Sequence, residues 1–347
     1  MPHLWLRAEQ RANETRVGLT PSGAAELLAA GFTVTVEDSD SRVISTAEYA
    51  KAGCAIAPAG TWPHAPRDAI IFGLKELPDD GTPLPHTHIM FGHAYKGQAS
   101  GRVLLERFRA GGGTLLDLEY LTEASGRRVA AFGYWAGFAG AAVALKCWAA
   151  QQHGGIAGPV TPYRNAEALK SALAEDLSGL ARPDALIIGA LGRVGSGAAD
   201  LLRALECPVT SWDMAETAHG GPFPEILAHA IFINCILAGP KTPAFVRPDA
   251  PSAERALRVI GDVACDPDSD FNPVQVYDRA TTWQHPALRV HDIPPLDVMA
   301  IDNLPSMLPL ESSQDYAAQL LPTLAELARE DAAVWSRARA LFQENIR

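Results

Sequence analysis

The sequence has little positive charge. Its 347 residues include 29 lysines and arginines against 40 aspartates and glutamates, which gives a formal net charge of −11. Proteins that bind a nucleic-acid backbone carry clustered cations, so this balance argues against a nucleic-acid partner. Long apolar runs are also lacking, because the longest, residues 132–145, ends at Lys146 and falls short of the ~20 residues that span a bilayer. No charged-then-apolar leader opens the chain, and we expect a soluble, cytoplasmic protein with no membrane partner.

Cysteine is scarce, and its spacing excludes the common cysteine sites. The five residues Cys54, Cys147, Cys207, Cys235 and Cys265 are scattered and odd in number, whereas zinc and dithiol sites need close pairs. We expect reduced, mostly buried thiols. Histidine is clustered in "PHTHIMFGHAYK", where His86 and His88 alternate and could bind a metal from one face of a strand. No third ligand follows at a known spacing, so we expect no metal.

The chain is too long for a single hydrophobic core, since such cores usually stop growing near ~250–300 residues. Short apolar runs alternate with helical patterns in two blocks, joined by the small-residue helix "FGYWAGFAGAAVALKCWAAQQ". This alternation predicts an α/β protein of two Rossmann-like domains, each a parallel sheet flanked by helices, with the active site in the interdomain cleft. The amphipathic C-terminal stretch is expected to pack on the first block. The predicted domains are residues 1–133 plus 310–347, for substrate binding and catalysis, and residues 134–309, for the nucleotide.

A glycine-rich stretch, "IIGALGRVGSGAADLL", opens the second block between a predicted strand and a predicted helix. Aligned on the dinucleotide fingerprint G-x-G-x-x-G, it places Ala190, Gly192 and Gly195 at the three glycine positions, so Gly189 is expected to supply the permissive backbone. Asp213 follows Gly192 by 21 residues, at the end of the next predicted strand. A carboxylate there accepts the ribose hydroxyls and repels a 2′-phosphate, which favours NAD over NADP. The predicted cofactor-binding residues are Gly189, Ala190, Gly192, Arg193, Val194, Gly195 and Asp213.

Charged residues follow the predicted strands of the first block. Lys75 comes directly after "IIFGL" and His93 after "IMFG", and the carboxyl ends of parallel strands are where open α/β sheets bind ligands. The apolar strands are expected to keep both side chains dry, and the two would then act as an acid–base pair. A second group of cations suits carboxylate recognition, although ordinary surface charge is the alternative; its members are Arg16, Lys96, Arg127 and Arg128.

Several motifs together resemble those of the NAD-dependent, lysine-forming saccharopine dehydrogenases, a family related to alanine dehydrogenase and to the NAD-binding subunit of transhydrogenase. They are "LRAEQRANETRVGLTP", "GFTVTVEDS", "PAGTWPHAPRDAIIFGLKELP", "GHAYKGQ", "GRRVAAFG", "GALGRVGSGA", "GGPF", "IFINCI" and "IDNLPSMLP", and they cover essentially the whole chain. The resemblance implies that saccharopine, NAD and water give lysine, 2-oxoglutarate and NADH.

The resemblance also implies roles for individual residues. Lys75 and His93 would be catalytic, with Glu76 and Glu119 tuning them. Substrate carboxylates would meet Arg16, Lys96 and Arg128, with Phe132 beside them and Asp302 on the amine side. Fungal members can carry a cysteine where this chain has Val194, so a redox pair of that cysteine with Cys235 is not expected here.

Two alternatives stay open at this point. An amino-acid dehydrogenase of the alanine type needs a smaller pocket with fewer cations, and the four basic residues favour a larger substrate with several carboxylates. A catalytically inactive NAD-binding sensor would be expected to have lost Lys75 or His93, and the sequence retains both. The expected partners are the small-molecule substrates saccharopine, lysine and 2-oxoglutarate, and the sequence leaves the oligomeric state open.

Overall fold

The computed structural model describes residues 1–11, 13–75, 77–329 and 331–346. The chain forms two compact units, one made of Met1–Ala131 with Pro309–Arg347 and the other of Phe132–Leu308. These bounds lie within two residues of the predicted ones. Among the described residues, no helix combines the length and the apolar character needed to cross a membrane.

The first unit contains a sheet of six parallel strands in the order β3-β2-β1-β4-β5-β6. Its strands are β1 (His3–Leu6), β2 (Thr33–Glu37), β3 (Ala55–Ala57), β4 (Ala69–Phe72), β5 (Thr87–Met90) and β6 (Thr114–Asp117). Helices α1 (Pro21–Ala29), α2 (Thr46–Lys51) and α3 (Ala99–Gly111) connect them. The strands read as apolar runs because helices cover a parallel sheet on both faces.

The ends of these helices follow the sequence signals. Thr20 caps α1, its hydroxyl accepting a hydrogen bond from the Gly23 amide at 3.2 Å, and Pro21 takes the first helical position. Gly112 caps the C-terminus of α3, and its φ of 73° is the left-handed conformation that glycine adopts without strain.

A buried carboxylate fixes the loops beside β1 and β2. The Glu37 side chain accepts hydrogen bonds from the Trp5 indole (3.1 Å) and from the backbone amides of Ala8 (2.9 Å), Gly60 (3.0 Å) and Trp62 (2.5 Å). A buried charge is tolerated only when it is hydrogen-bonded. Glu37 therefore ties the end of its own strand to β1 and to the turn that carries Trp62.

The second unit contains a six-stranded sheet in the order β11-β12-β10-β9-β7-β8. Its strands are β7 (Ala185–Ile188), β8 (Val209–Trp212), β9 (Ile231–Asn234), β10 (Val259–Asp262), β11 (Leu288–Asp292) and β12 (Pro295–Met299). Its helices are α4 (Gly133–Gln152), α5 (Ala166–Asp176), α6 (Arg193–Ala204), α7 (Met214–Thr217) and α8 (Pro224–Ala228).

One strand of this sheet departs from the expected parallel arrangement. Strand β11 pairs with β12 in the antiparallel sense, while the other pairs are parallel. Only residues 293 and 294 separate the two strands. A parallel crossover needs a dozen or more residues, so a connection this short forces a hairpin at the edge of the sheet.

Small residues bring α4 and α6 close together, as the glycine- and alanine-rich sequence predicts. A Cβ added to Gly137 would lie 1.8 Å from the carbonyl oxygen of Val194, and one added to Gly197 would lie 1.9 Å from that of Tyr134. Both distances are far below van der Waals contact, so glycine is required at both positions. This packing supports the glycine-rich segment that leads into α6.

The chain then returns to the first unit with α9 (Pro309–Ala325) and α10 (Ala333–Asn345). The Trp335 indole is fully buried and donates a 2.8 Å hydrogen bond to the Thr323 carbonyl, which joins the two helices. On the sheet side, Phe342 meets Phe108 of α3 edge to face, with 5.7 Å between ring centroids. Amphipathic periodicity in the last forty residues thus corresponds to two packed helices.

The five cysteines are free thiols. His86 and His88 are buried in the first core, and within the described ranges no group of three histidine, cysteine or acidic side chains could hold a metal ion. The His88 ring meets Trp62 and Phe108 edge to face. Burial lowers the pKa of His88 well below its usual range, and the charges of Arg7, His86 and Arg107 lower it further.

Since the pKa of His88 is lower in the folded state than in the unfolded state, its neutral form is the one that fits the core. The contribution of neutral His88 to the free energy of unfolding is complete above the unfolded pKa of ~6.5. It falls by up to about 1.4 kcal/mol per pH unit as the pH drops below that value. Between pH 7.5 and pH 5.5, the free energy of unfolding measured in urea should fall by about 1 kcal/mol more for the wild type than for His88→Phe. His64→Phe, at an exposed histidine of the same unit, should behave like the wild type. Equal losses in the wild type and His88→Phe would contradict this assignment.

Candidate active site

Charged side chains collect beyond the carboxyl ends of β1, β4, β5 and β6 in the first unit. Arg16 lies in the segment after β1, Lys75 three residues after β4, His93 three residues after β5, and Glu119 two residues after β6. Because these strands are parallel neighbours, their carboxyl ends share one edge of the sheet. Ligands of open α/β sheets bind outside this edge.

Glu119 joins two of the predicted site residues. One carboxylate oxygen lies 3.3 Å from His93 Nδ1, and the other accepts a 2.8 Å hydrogen bond from Lys96 Nζ. The hydrogen bond with His93, together with the Lys96 contact, lowers the pKa of Glu119 to about 2. In return, the hydrogen bond to Glu119 raises the pKa of Lys96. At neutral pH the Glu119 carboxylate is ionised and holds both groups.

The backbone around Glu119 is itself held by an acid. Asp117 ends β6 and caps the short turn Leu118–Tyr120, its carboxylate accepting a 2.9 Å hydrogen bond from the Glu119 amide. Asp117 is buried, and burial raises its pKa. The position of Glu119 thus depends on a carboxylate beneath it.

His93 has an unusual backbone conformation and a more open environment than expected. Its φ of 48° lies in the left-handed region, which non-glycine residues rarely adopt, and its ring stacks on Phe91 with an interplanar angle of 19°. The side chain is 45% exposed. The expectation of dry surroundings was therefore wrong for His93, because the chain turns away from the core after β5 and leaves Glu119 as the imidazole's close partner.

Lys75 is half-buried, and its positive charge contributes to lowering the pKa of Glu14. It therefore lies near the buried Glu14–Arg16 pair. Glu76 falls outside the described residues, so its tuning role stays a prediction.

Arg16 forms a two-pronged ion pair with Glu14. The guanidinium donates to the two carboxylate oxygens at 2.8 and 2.6 Å, and both side chains are buried. Burial alone would raise the pKa of Glu14, but the hydrogen bonds and charge of Arg16 outweigh it and lower that pKa. The predicted substrate contact of Arg16 stays a prediction, and in this structure the guanidinium is engaged by Glu14.

The remaining predicted cations are accessible. Lys96 is 52% exposed beside Glu119, and Arg128 is exposed in the turn where its backbone bridges to Thr122. Arg127 pairs with Glu123 on the surface at 3.2 Å.

Sequence reasoning missed several side chains near this edge, among them Glu14, Asp117 and Tyr316. Tyr316 is buried in α9, and the charges of Arg128, Arg16 and Asp117 all act on its hydroxyl. A signal existed for Asp117, which follows an apolar strand directly, and for Glu14, which lies two residues before Arg16. Nothing local marks Tyr316, since it reaches the edge from a helix far along the chain.

The glycine loop, residues 189–197 of the second unit, has the backbone that the sequence predicts. Gly189 has a φ of 86°, so it supplies the left-handed turn in place of Ala190. A Cβ on Gly195 would lie 2.2 Å from the Gly189 carbonyl oxygen, whereas a Cβ on Gly192 would meet only that same oxygen, at 3.4 Å. Gly195 is thus needed for packing. Gly192 lies at the N-terminus of α6, where bare backbone suits the approach of a pyrophosphate.

Asp213 is fixed against this loop. Its carboxylate accepts hydrogen bonds from the amides of Leu191 (3.0 Å) and Met214 (2.9 Å). It lines a cavity of about 420 Å³ together with Gly189, Met214 and Lys241. Arg193 and Val194 form the first turn of α6.

Two further predicted residues also belong to the second unit. Phe132 precedes α4 as its capping residue, and Asp302 is exposed after β12. Their contacts with substrate stay predictions.

The Glu14–Arg16 pair can be tested by stability. Arg16→Met leaves a buried carboxylate without its cation, which should cost about 3–5 kcal/mol. Adding Glu14→Gln should restore part of that loss, because the charge disappears with its partner. Arg127→Met, which breaks the surface pair with Glu123, should cost about 0–1 kcal/mol. Urea unfolding of the wild type and the three variants measures these losses, and an Arg16→Met variant as mild as Arg127→Met would contradict this expectation.

Comparisons with known proteins indicate the family to which the chain belongs. Residues 5–139 match the model of the alanine dehydrogenase/PNT N-terminal domain. The saccharopine dehydrogenase [NAD(+), L-lysine-forming] of Schizosaccharomyces pombe is 44% identical over 99% of this chain and 98% of its own. The enzyme of the same name from Neurospora crassa is 46% identical over 99% of this chain and 96% of its own.

Among solved structures, an L-alanine dehydrogenase superposes with a TM-score of 0.67 at 18% identity, covering 97% of this chain and 93% of its own. This likeness concerns the fold, and it confirms the prediction of two Rossmann-like domains. The near-complete coverage at 44–46% identity decides the family. The chain belongs to the NAD(+)-dependent, lysine-forming saccharopine dehydrogenases.

Proposed function

We propose that the protein catalyses the reversible conversion of saccharopine, NAD⁺ and water to L-lysine, 2-oxoglutarate, NADH and a proton. The observation that carries the proposal is the 44–46% identity to enzymes of that name over 99% of the chain. The residues that the motifs assign to the chemistry, Lys75 and His93, support it, because both follow parallel strands that end at one edge of the first sheet.

The second unit carries the features that fit the cofactor. The bare backbone at Gly192 and the N-terminus of α6 would hold the pyrophosphate, and Asp213 would hold the adenosine ribose. NAD⁺, when bound, supplies the acceptor for the hydride. Asp213 would also disfavour a 2′-phosphate, since its carboxylate lines the cavity beside the glycine loop and would repel a second negative charge.

The cations of the first unit would bind the substrate carboxylates. Saccharopine brings three carboxylates, and each needs a partner on leaving water. Lys96 and Arg128 are exposed enough to meet them directly. Arg16 would have to share its guanidinium with Glu14.

The chain's own contribution to the chemistry is proton transfer. Oxidation of the secondary amine requires a base for its proton, and hydrolysis of the resulting imine requires a base for water and an acid for the departing amine of lysine. Glu119 faces His93 Nδ1, so Nδ1 carries a proton toward that carboxylate and Nε2 is left to exchange protons with the substrate. Lys75 is the second proton carrier, and one turnover would use both.

The reverse reaction tests the proposal directly. NADH oxidation should require 2-oxoglutarate and lysine together, and mass spectrometry should find saccharopine as the product. Ornithine, alanine and ammonia in place of lysine form the comparison panel. Oxidation with pyruvate and ammonia, without reaction of lysine, would replace the proposal by an alanine-type dehydrogenase.

Replacing the proton carriers should reduce turnover and spare cofactor binding. Lys75→Met and His93→Gln should each lower kcat by about 10²–10⁴-fold, the usual range for general acid–base groups. NADH binding, measured by fluorescence titration, should change little. Each variant should also lose one limb of the pH–rate profile. That profile belongs to Lys75 and His93 as a pair and not to either residue alone. Either variant with wild-type kcat and profile would make that residue structural.

Asp213 should set cofactor choice. Asp213→Asn weakens the hydrogen bond to the Leu191 amide and removes the charge that repels a 2′-phosphate. The KM for NAD should therefore rise. The preference for NAD over NADP should narrow by at least tenfold, which corresponds to about 1.4 kcal/mol. Asp268→Asn, at an exposed carboxylate of the same unit, serves as the control. Steady-state kinetics with both cofactors measure the effect, and an unchanged NAD/NADP ratio in Asp213→Asn would contradict it.

A further inference from the structure

The amides and carbonyls of Leu74 and Lys75 are all hydrogen-bonded, although their strand has already ended. Strand β4 stops at Phe72, yet the Leu74 and Lys75 amides donate to the two carboxylate oxygens of Glu9 at 2.6 and 3.1 Å. The Leu74 carbonyl accepts from the Phe91 amide at 2.9 Å, and the Lys75 carbonyl accepts from the Arg7 guanidinium. Side chains thus replace the missing sheet partners of the peptide that carries Lys75.

Arg7 and Glu9 form an ion pair with each other. Their side chains are 0% and 9% exposed, and Arg7 Nη1 lies 3.3 Å from Glu9 Oε2. Both lie in the segment directly after β1, which neighbours β4 in the sheet. Arg7 therefore donates a hydrogen bond to the Lys75 carbonyl, and Glu9 accepts one from the Lys75 amide.

Gly73 shows how closely the guanidinium packs on this strand. A Cβ on Gly73 would lie 2.4 Å from Arg7 Nε and 2.5 Å from Cζ. The guanidinium lies on the Cα of Gly73, two residues before Lys75. A side chain at this position would push Arg7 away without changing any charge.

A buried ion pair does not easily release the backbone groups that it hydrogen-bonds. Breaking one leaves an uncompensated charge in the protein interior, so the Leu74 and Lys75 peptides are held more firmly than loop backbone generally is. The direction in which the Lys75 side chain leaves the backbone follows from those peptides. A misplacement of ~1 Å in such a group can lower a rate by about 10²-fold.

We propose that Arg7 and Glu9 are positioning residues that fix the Lys75 backbone, and through it the ammonium group, for proton transfer. Neither residue would touch the reacting atoms. Gly73 is glycine because the guanidinium needs its space. The inference rests on the proposed function, in which Lys75 is a proton carrier.

The experiment compares Gly73→Ala, Glu9→Gln and Arg7→Met with a control at a second buried arginine. Arg107 is also buried in the first unit and donates to backbone carbonyls, those of Pro78 and Thr82, at 2.6 and 2.8 Å. Arg107→Met should therefore reproduce the loss of stability without disturbing Lys75. Each variant is characterised by urea unfolding, kcat, KM for NAD and the pH–rate profile.

We expect kcat to fall about 10–100-fold in Gly73→Ala and Glu9→Gln, with the Lys75-dependent limb of the pH–rate profile displaced and KM for NAD within twofold of wild type. Arg107→Met should keep kcat and the profile. Should Arg7→Met fail to fold, Gly73→Ala and Glu9→Gln decide the question, because one adds a methyl group and the other is isosteric.

Two results overturn the positioning role. One is wild-type kcat and profile in folded Gly73→Ala and Glu9→Gln, and the other is an equal loss of kcat in Arg107→Met. Lys75→Met separates this failure from failure of the proposed mechanism. If Lys75→Met is inactive while Gly73→Ala and Glu9→Gln are normal, only the positioning role falls. If Lys75→Met is fully active, the proton-carrier role falls, and the positioning role falls with it.

Discussion

A parallel sheet leaves amide groups unpaired where its strands end, and in this protein carboxylates accept hydrogen bonds from several of them. In the first unit Glu9 binds the amides after β4, Glu37 binds those beside β1 and β3, and Asp117 binds the amide of Glu119. In the second unit Asp213 binds the amides of Leu191 and Met214. Since backbone groups away from water must be bonded, the carboxyl edge of each sheet is held by charged side chains.

Other carboxylates shape the electrostatics at the carboxyl ends of the strands. Glu119 keeps its charge because His93 and Lys96 face it, and its pKa falls to about 2. Asp262, at the end of β10, is buried and accepts hydrogen bonds from Asn234 (3.0 Å) and Tyr277 (2.8 Å), yet burial still raises its pKa. The chain has a net charge of −11, and its acidic side chains hold loops in place. Its cations cluster at the carboxyl edge of the first unit's sheet, where they would attract a substrate with three carboxylates.

The sequence was sufficient wherever a local rule decides the structure. Apolar runs followed by Lys75 and His93 predicted strand ends, and the glycine loop with Asp213 predicted a nucleotide-binding turn whose Gly189 takes the left-handed conformation. The sequence failed where tertiary contacts decide. The openness around His93 depends on how the chain leaves β5, and the Glu14–Arg16 bond depends on two side chains turning toward each other inside a folded edge.

The proposed function depends on proton transfer at the carboxyl edge of the first sheet. A crystal structure of the enzyme with saccharopine and NAD bound tests it most directly. We expect the secondary amine nitrogen of saccharopine to lie within hydrogen-bond reach, about 2.6–3.2 Å, of Lys75 Nζ or His93 Nε2, or to be joined to one of them by a single water. A saccharopine molecule bound with its amine away from both side chains would contradict it.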